Sequence, residues 1–230
     1  MPYMGPGTRR LCVAYDVEHY SQRGTRREYA TQRRLVDVLE FAFGEAGLAP
    51  GQYELQEQGD GGLALLPTGG SVDEPRLIVD LLRALGNALA ELNDDLVDEA
   101  KVRLRVGLDE GVVHPAAHGY VGPAIIEVCR LRDADPVRYA LAASTAPMVA
   151  VVADGLYRDV LSQGYHGLAG TAFTPVHVQV KSYQGRAWIY LPGEVISRGA
   201  NPDRAETPTP SDASGGRPLV EEFLDSKDAW

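Results

Sequence analysis

Two acids in this chain end apolar runs in a way that suits a divalent cation. Asp16 closes Leu-Cys-Val-Ala-Tyr-Asp, and Asp60 sits in Gln-Gly-Asp-Gly-Gly-Leu-Ala-Leu-Leu. If their strands are neighbours, both carboxylates lie at one sheet edge. Two hard oxygen ligands, completed by phosphate oxygens and water, are what magnesium takes. Each acid also has an ordinary reading. Asp-Gly is a common hairpin turn, and an Asp at a strand end commonly caps the next turn or helix. The pairing, not either residue alone, points to a metal.

Composition narrows the partners. With 230 residues, 44% apolar and 23% charged, the chain fits one globular domain with a tail. A formal charge of −10 argues against a protein that tracks a nucleic-acid backbone, which needs a basic surface. A single nucleotide needs only a local positive pocket. Among 22 basic residues the lysines are Lys101, Lys181 and Lys227, and Lys181 alone follows an apolar strand. Cys12 and Cys129 lie in apolar surroundings with no zinc spacing and no disulfide framework, so both are expected as reduced core residues. The first ten residues hold no apolar stretch of signal-peptide length, and no run approaches a membrane span. A cytoplasmic protein without membrane contact is the expectation.

The elements that must position the acids come from periodicity. Leu11 to Tyr15 reads as a buried strand, and Thr25 to Ala46 as a helix with Leu35, Val38, Leu39, Ala42 and Phe43 on one face. Tyr53 to Gln58 and Gly62 to Leu66 form a hairpin about the Gly-Asp-Gly turn. A second helix starts near Asp73 and Pro75 and carries Leu77, Leu81, Ala84, Leu85, Ala88 and Leu92, with Asn93 to Lys101 as its solvated end. Val102, Leu104 and Val106 alternate with polar residues in a half-buried strand that runs on to Val113, and a loop comes next. Gly122-Pro123 opens a third helix through Leu131, which Pro136 to Ala143 extends or restarts. Met148 to Val152 is a strand, Asp154 to Ser162 a short helix, and Val176 to Lys181 and Ala187 to Leu191 are the last strands. The fold class is therefore α+β: a ferredoxin-like, mostly antiparallel sheet covered by helices. Residues 10–193 make the domain. Residues 194–230, rich in Pro, Gly and Ser, make a tail expected to be flexible, with Leu219 to Leu224 and Trp230 as a candidate docking segment.

Four blocks in this order resemble the catalytic domain of class III nucleotide cyclases, the adenylyl and guanylyl cyclase superfamily, over roughly residues 10–192. Asp16-Val17-Glu18-His19-Tyr20-Ser21 stands where that family has Asp-Ile-x-Gly-Phe-Thr. Gln58-Gly59-Asp60-Gly61 resembles its second metal-aspartate hairpin. Arg105-Val106-Gly107 through Gly111 resembles its Arg-x-Gly-x-x-x-Gly strand, followed by the Gly122 to Leu131 helix. Val178-Gln179-Val180-Lys181 resembles its closing Val-Lys-Gly.

The resemblance implies a set of roles. Asp16 and Asp60, with the main chain of Val17, would hold two magnesium or manganese ions. The amides of Glu18, His19, Tyr20 and Ser21 would meet the β- and γ-phosphates at a helix N-terminus. Arg130 would stabilise charge on the α-phosphate in the transition state, and Lys181 would contact the triphosphate. In that family each site spans a head-to-tail pair of domains, so a homodimer is implied.

Three positions depart from the pattern. Gln56 stands where purine-selective members have a base-reading lysine. Gly119 stands at their second base-reading position. Ile126 replaces the asparagine that orients the ribose, and an isoleucine cannot donate a hydrogen bond. Three activities fit these facts: a divergent cyclase that turns a nucleoside triphosphate into a cyclic nucleotide and pyrophosphate with a pyrimidine or other non-standard base; a cyclase-homology domain that binds nucleotide and metal as a sensor or scaffold without turnover; and a polymerase-like or cyclic-dinucleotide chemistry on a similar palm.

Overall fold

Alternation along β1 (Thr8–Val17) makes the molecule two-sided. Leu11, Val13, Tyr15 and Val17 turn to one face and join the main core, while Cys12 and Ala14 turn to the other, as the period of two along a strand requires. The computed structural model describes residues 5–181 and 183–194. The expected tail lies outside these residues except for Glu194, whose carboxylate accepts from the backbone N–H and hydroxyl of Thr145, both at 2.8 Å.

The main core is closed by α1 (Thr25–Glu45) and α2 (Glu74–Asp94). Both present stripes at helical spacing, Leu35, Val38, Leu39, Ala42 and Phe43 on the first and Leu77, Leu81, Leu85 and Leu89 on the second, which is the pattern of a helix packed on a sheet. Asp73 caps α2 by accepting from the Arg76 N–H at 3.2 Å, the ordinary use of an Asp before a helix. The opposite sheet face is covered by α3 (Pro123–Asp133) and α4 (Asp135–Ala142), whose Leu131, Val137 and Leu141 pack on the outer strands.

One sheet runs through the middle. Its order is β2 (Glu54–Glu57), β3 (Gly61–Pro67), β1, β4 (Leu104–Ala116), β6 (Met148–Ala153), β8 (Tyr183–Tyr190) and β7 (Phe173–Val180), with β5 (Gly119–Val121) paired only to β4. Among the described residues only β4 and β6 pair in parallel. The expected α+β class with a mostly antiparallel sheet is what the chain adopts.

Two expectations need correction. Residues after Val113 form a hairpin, not a loop: β4 continues to Ala116 and returns as β5, with Gly119 at φ 98° taking the left-handed turn. Pro115, Ala116 and Ala117 break the alternation that signals a strand, so periodicity does not show it. The end of α2 is not wholly solvated. Asn93 is buried, donates to the Val102 carbonyl and accepts from the Val102 N–H, each at 2.8 Å, and so pins α2 to the entry of β4.

Candidate functional site

The register of three strands brings the two acids together. Asp16 pairs with Gly61 of β3 on one side and with Arg105 of β4 on the other. The Val17 N–H donates to the Asp60 carbonyl at 2.9 Å, so the turn carrying Asp60 is fastened to the end of β1. Close approach depends on Gly61 and Gly62. A Cβ at Gly62 would lie 2.5 Å from the Tyr15 hydroxyl oxygen and 2.7 Å from the Gln56 carbonyl oxygen, and one at Gly61 would overlap the Tyr15 carbonyl. Gly-Asp-Gly-Gly is thus the sequence that lets a turn lie against β1 beside Asp16.

Arg105 forms an ion pair with Asp16, and both side chains are about 15% exposed. Burial pushes the Asp16 carboxyl above its ordinary value; the Arg105 and Arg132 guanidiniums oppose this, and the Asp60 charge adds to it. Arg132, on the last turn of α3, donates to the Tyr15 carbonyl at 3.2 Å and pairs with Asp133. Sequence reasoning does not single out Arg105 as an ion-pair partner within the site. A signal for it exists: in an antiparallel pair, aligning the two half-buried strands sets Arg105 opposite Asp16.

A cleft of about 360 Å³ opens here, lined by Asp16, Asp60, residues 17–22, Arg105, Arg138 and Ala142. The expected phosphate-binding segment therefore faces the acids. It differs from expectation in two respects. Residues Tyr20–Gln22 form a single 3-10 turn, and α1 begins only at Thr25. The Glu18 N–H donates to the Arg103 carbonyl at 2.9 Å, because the backbone there still pairs with the strand below. The amides of His19, Tyr20 and Ser21 are the ones left to meet a ligand. His19 sits at φ 54°, and the Tyr20 hydroxyl accepts from the Gln32 amide at 2.9 Å.

The remaining expected site residues lie elsewhere. Val128 and Ala124 press α3 on Gly107 and Gly111 of β4, where a Cβ would lie 2.7 Å from the Val128 carbonyl oxygen and the Ala124 Cβ respectively. With 100° per residue, Ile126 and Arg130 then fall on the outer side of α3, and Ile126 is 53% exposed. Lys181 is exposed in the turn between β7 and β8 at φ 53°. That turn lies at the far end of the sheet, since β1 ends beside the start of β4 and β6 while β8 reaches the end of β6 near Ala187. One chain does not bring Arg130 or Lys181 to Asp16. It does bring Gln56 against Gly119, where a Cβ would overlap the Gln56 amide. Cys12 is buried, Cys129 half-buried, and both are free.

Among the described residues no group of three or more His, Cys, Asp or Glu side chains gathers as a cation site. The donor set at Asp16 and Asp60 nonetheless fits magnesium or manganese. Two carboxylates on one cleft, one of them already balanced by a cation, leave most ligand positions to phosphate oxygens and water, which is how magnesium is commonly held.

No protein-family model matches the sequence, and no curated protein sequence matches it. Likeness appears in the fold. An adenylate/guanylate cyclase/hydrolase from Silicibacter pomeroyi superposes with a TM-score of 0.54 at 18% identity, over 81% of this chain and 99% of that one. The guanylate cyclase domain of RhGC from Catenaria anguillulae, solved in complex with GTP, gives 0.51 at 16% identity over 81% and 99%. The adenylyl cyclase CyaB from P. aeruginosa gives 0.52 at 10% identity over 81% and 95%. The chain has the fold of the class III adenylyl and guanylyl cyclase catalytic domain.

Proposed function

We propose that this domain is a divergent nucleotide cyclase, converting a nucleoside triphosphate to a cyclic nucleotide and pyrophosphate at sites shared between two copies of the chain. The observation that carries the reading is the convergence of Asp16 and Asp60 on a cleft whose floor is the 17–22 loop and whose wall holds Arg105 and Arg138. An acid pair beside free amides and cations suits a metal-bound polyphosphate.

Asp16 and Asp60, with the Val17 main chain, would hold two magnesium or manganese ions, which when bound lower the pKa of an attacking hydroxyl and neutralise a leaving pyrophosphate. The chain's own contribution is positioning. The amides of His19, Tyr20 and Ser21 orient phosphate oxygens. Arg105, freed from Asp16, offers donors beside them, and its Nε has no partner in the present arrangement. Gln56 and Gly119 form the place where a base would be read, and a glutamine amide there can both donate and accept.

Arg130 and Ile126 on the outer side of α3, and Lys181 at the far end of the sheet, support the two-copy site, because a single chain leaves them unable to act on Asp16's ligand. A head-to-tail homodimer would present them across the interface. Ile126 favours the second reading, a domain that binds nucleotide and metal as a sensor without turnover, since losing a positioned donor costs on the order of a hundredfold in rate.

The test is incubation with manganese and each of the four nucleoside triphosphates. A cyclic mononucleotide and pyrophosphate are expected, abolished by Asp16→Ala or Asp60→Ala. Metal-dependent binding of every triphosphate without product would replace the cyclase with the sensor. Mixing Asp60→Ala with Arg130→Ala chains should restore partial activity; no rescue from an active parent would reject the shared site.

A further inference from the structure

The 17–22 loop and α4 are fastened together by one side chain. The Arg103 guanidinium pairs with Glu18 at 2.9 Å, donates to the Ser144 carbonyl at 2.9 Å and the Ala146 carbonyl at 3.1 Å, and also donates to the Leu141 carbonyl. Leu141 and Ser144 lie at the C-terminal end of α4, so a single half-buried cation satisfies carbonyls there and a carboxylate on the loop. Arg138 is one turn earlier on α4. It and Ala142, four residues apart on one helix face, line the cleft beside Asp16 and Asp60.

Two of the three carboxylates of the cleft already have a cation, and Asp60 has none among the described residues. Asp16 is balanced by Arg105 and Glu18 by Arg103. Among the described residues the Arg138 side chain has no carboxylate or hydrogen-bond partner, and it is exposed at the rim. An unpartnered guanidinium lining the same cleft as the His19, Tyr20 and Ser21 amides is not required for packing, because Val137 and Leu141 supply the buried face of α4.

We propose that Arg138 is a phosphate-binding residue, supplied by the same chain as Asp16 and Asp60, that makes the cleft select a polyphosphate over a monophosphate. This rests on the metal-nucleotide reading above. A guanidinium at the rim offers a fork of donors to a phosphate oxygen, and Arg103 holds the end of α4 against the loop so that only the Arg138 side chain has to be ordered on binding. Arg138 is a binding residue; it is not placed on the reacting atoms.

The experiment uses manganese with inorganic tripolyphosphate, a probe that lacks a base and ribose, and compares it with a nucleoside monophosphate by calorimetry on the full chain. Arg138→Ala should weaken tripolyphosphate about three- to fivefold and leave the monophosphate within twofold, as one lost charge pair at a solvent-exposed position would do. Arg138→Lys should recover part of the loss, and the salt dependence of tripolyphosphate binding should flatten in Arg138→Ala. If wild type binds tripolyphosphate in a manner that Asp60→Ala abolishes, yet Arg138→Ala binds within twofold of wild type, the assignment of Arg138 is wrong and the metal site stands. If wild type does not bind the manganese-tripolyphosphate at all, both fall.

Discussion

Asp109 is a carboxylate placed where it is costly to ionise. It lies on β4 opposite Cys12 of β1, half-buried under α3, with Glu127 of α3, its neighbour Glu110 and the Tyr183 phenol of β8 as the titratable groups that act on it or respond to it. Burial, followed by the charges of Glu127 and Glu110, pushes its carboxyl from an ordinary 3.8 up to about 6, against the single hydrogen bond it accepts from the Glu110 N–H at 2.9 Å. The raised value fixes the sign of the effect. Well below pH 3.8 the group is protonated in both folded and unfolded chains and costs nothing. As pH rises from 3.8 to about 6 the unfolded chain releases a proton that the folded chain still holds, so stability falls, and above that range the deficit is constant.

At about 1.4 kcal/mol for each tenfold change in proton affinity, the deficit is about 3 kcal/mol at most, less whatever water and side-chain relaxation recover. Asp109→Asn keeps an oxygen for the Glu110 N–H and removes the charge. It should raise stability at pH 7.5 by a large part of that amount, or roughly 5–10 °C in melting temperature for a domain of this size, and the gain should shrink toward zero at pH 4. Glu127→Gln should give a smaller gain of the same pH dependence, less than additive with Asp109→Asn because the two charges share one repulsion. Thermal melts of the four proteins from pH 4 to 8 decide it. A gain that is the same at pH 4 and pH 7.5, or a loss at pH 7.5, would refute the account of Asp109 as a buried, repelled acid.

Other substitutions test the scaffold of the site. Gly62→Ala should destabilise by about 1–3 kcal/mol, the usual cost of forcing an extra carbon into a packed contact, and should weaken manganese binding by prising the Asp60 turn from β1, whereas Gly155→Ala, with nothing within 4 Å of the added carbon, should leave both unchanged. Asn93→Ala strands the N–H and carbonyl of Val102 in the interior and should cost about 2–4 kcal/mol by chemical denaturation, with Asn93→Asp costing no less at neutral pH. Arg103→Ala removes the tie between Glu18 and α4, and limited proteolysis should then cut near Ser144 faster than in wild type.

The acids at the centre are legible in the sequence because the signals that carry them are local. An apolar run that stops at Asp16, and a turn of Gly-Asp-Gly-Gly, survive any uncertainty about the rest of the sheet, and the family resemblance puts them in order. Arg105 reads only as the polar side of a half-buried strand and part of a motif, because its pairing with Asp16 comes from register, which a strand's own sequence does not state. The α4 contribution is illegible for a different reason. Pro136 to Ala143 could extend or restart the preceding helix, and the burial of Val137 and Leu141, with the Arg103 contacts to Leu141, Ser144 and Ala146, sets which face meets the cleft. Gly107 and Gly111 stand out in the sequence as a motif without a cause; the contacts with Val128 and Ala124 show that they are the floor on which α3 sits.

That floor bears on the division of labour within the chain. Because α3 can approach β4 only where Gly107 and Gly111 lack side chains, its inward positions are set at Ala124, Val128 and Leu131, and its outward positions must be Ile126 and Arg130. The same packing brings Arg132, not Arg130, to the Tyr15 carbonyl beside Asp16. Moving Arg130 to the acids of its own chain would require rolling α3 by roughly half a turn, which would drive side chains into Gly107 and expose Val128 and Leu131 to water at about 1.5–3 kcal/mol each. Packing therefore keeps residue 130 away from the cleft of its own chain, which is what the proposed two-copy site requires of it. The glycines of β4 thus fix which side of α3 faces outward, and with it where Ile126 and Arg130 stand relative to Asp16.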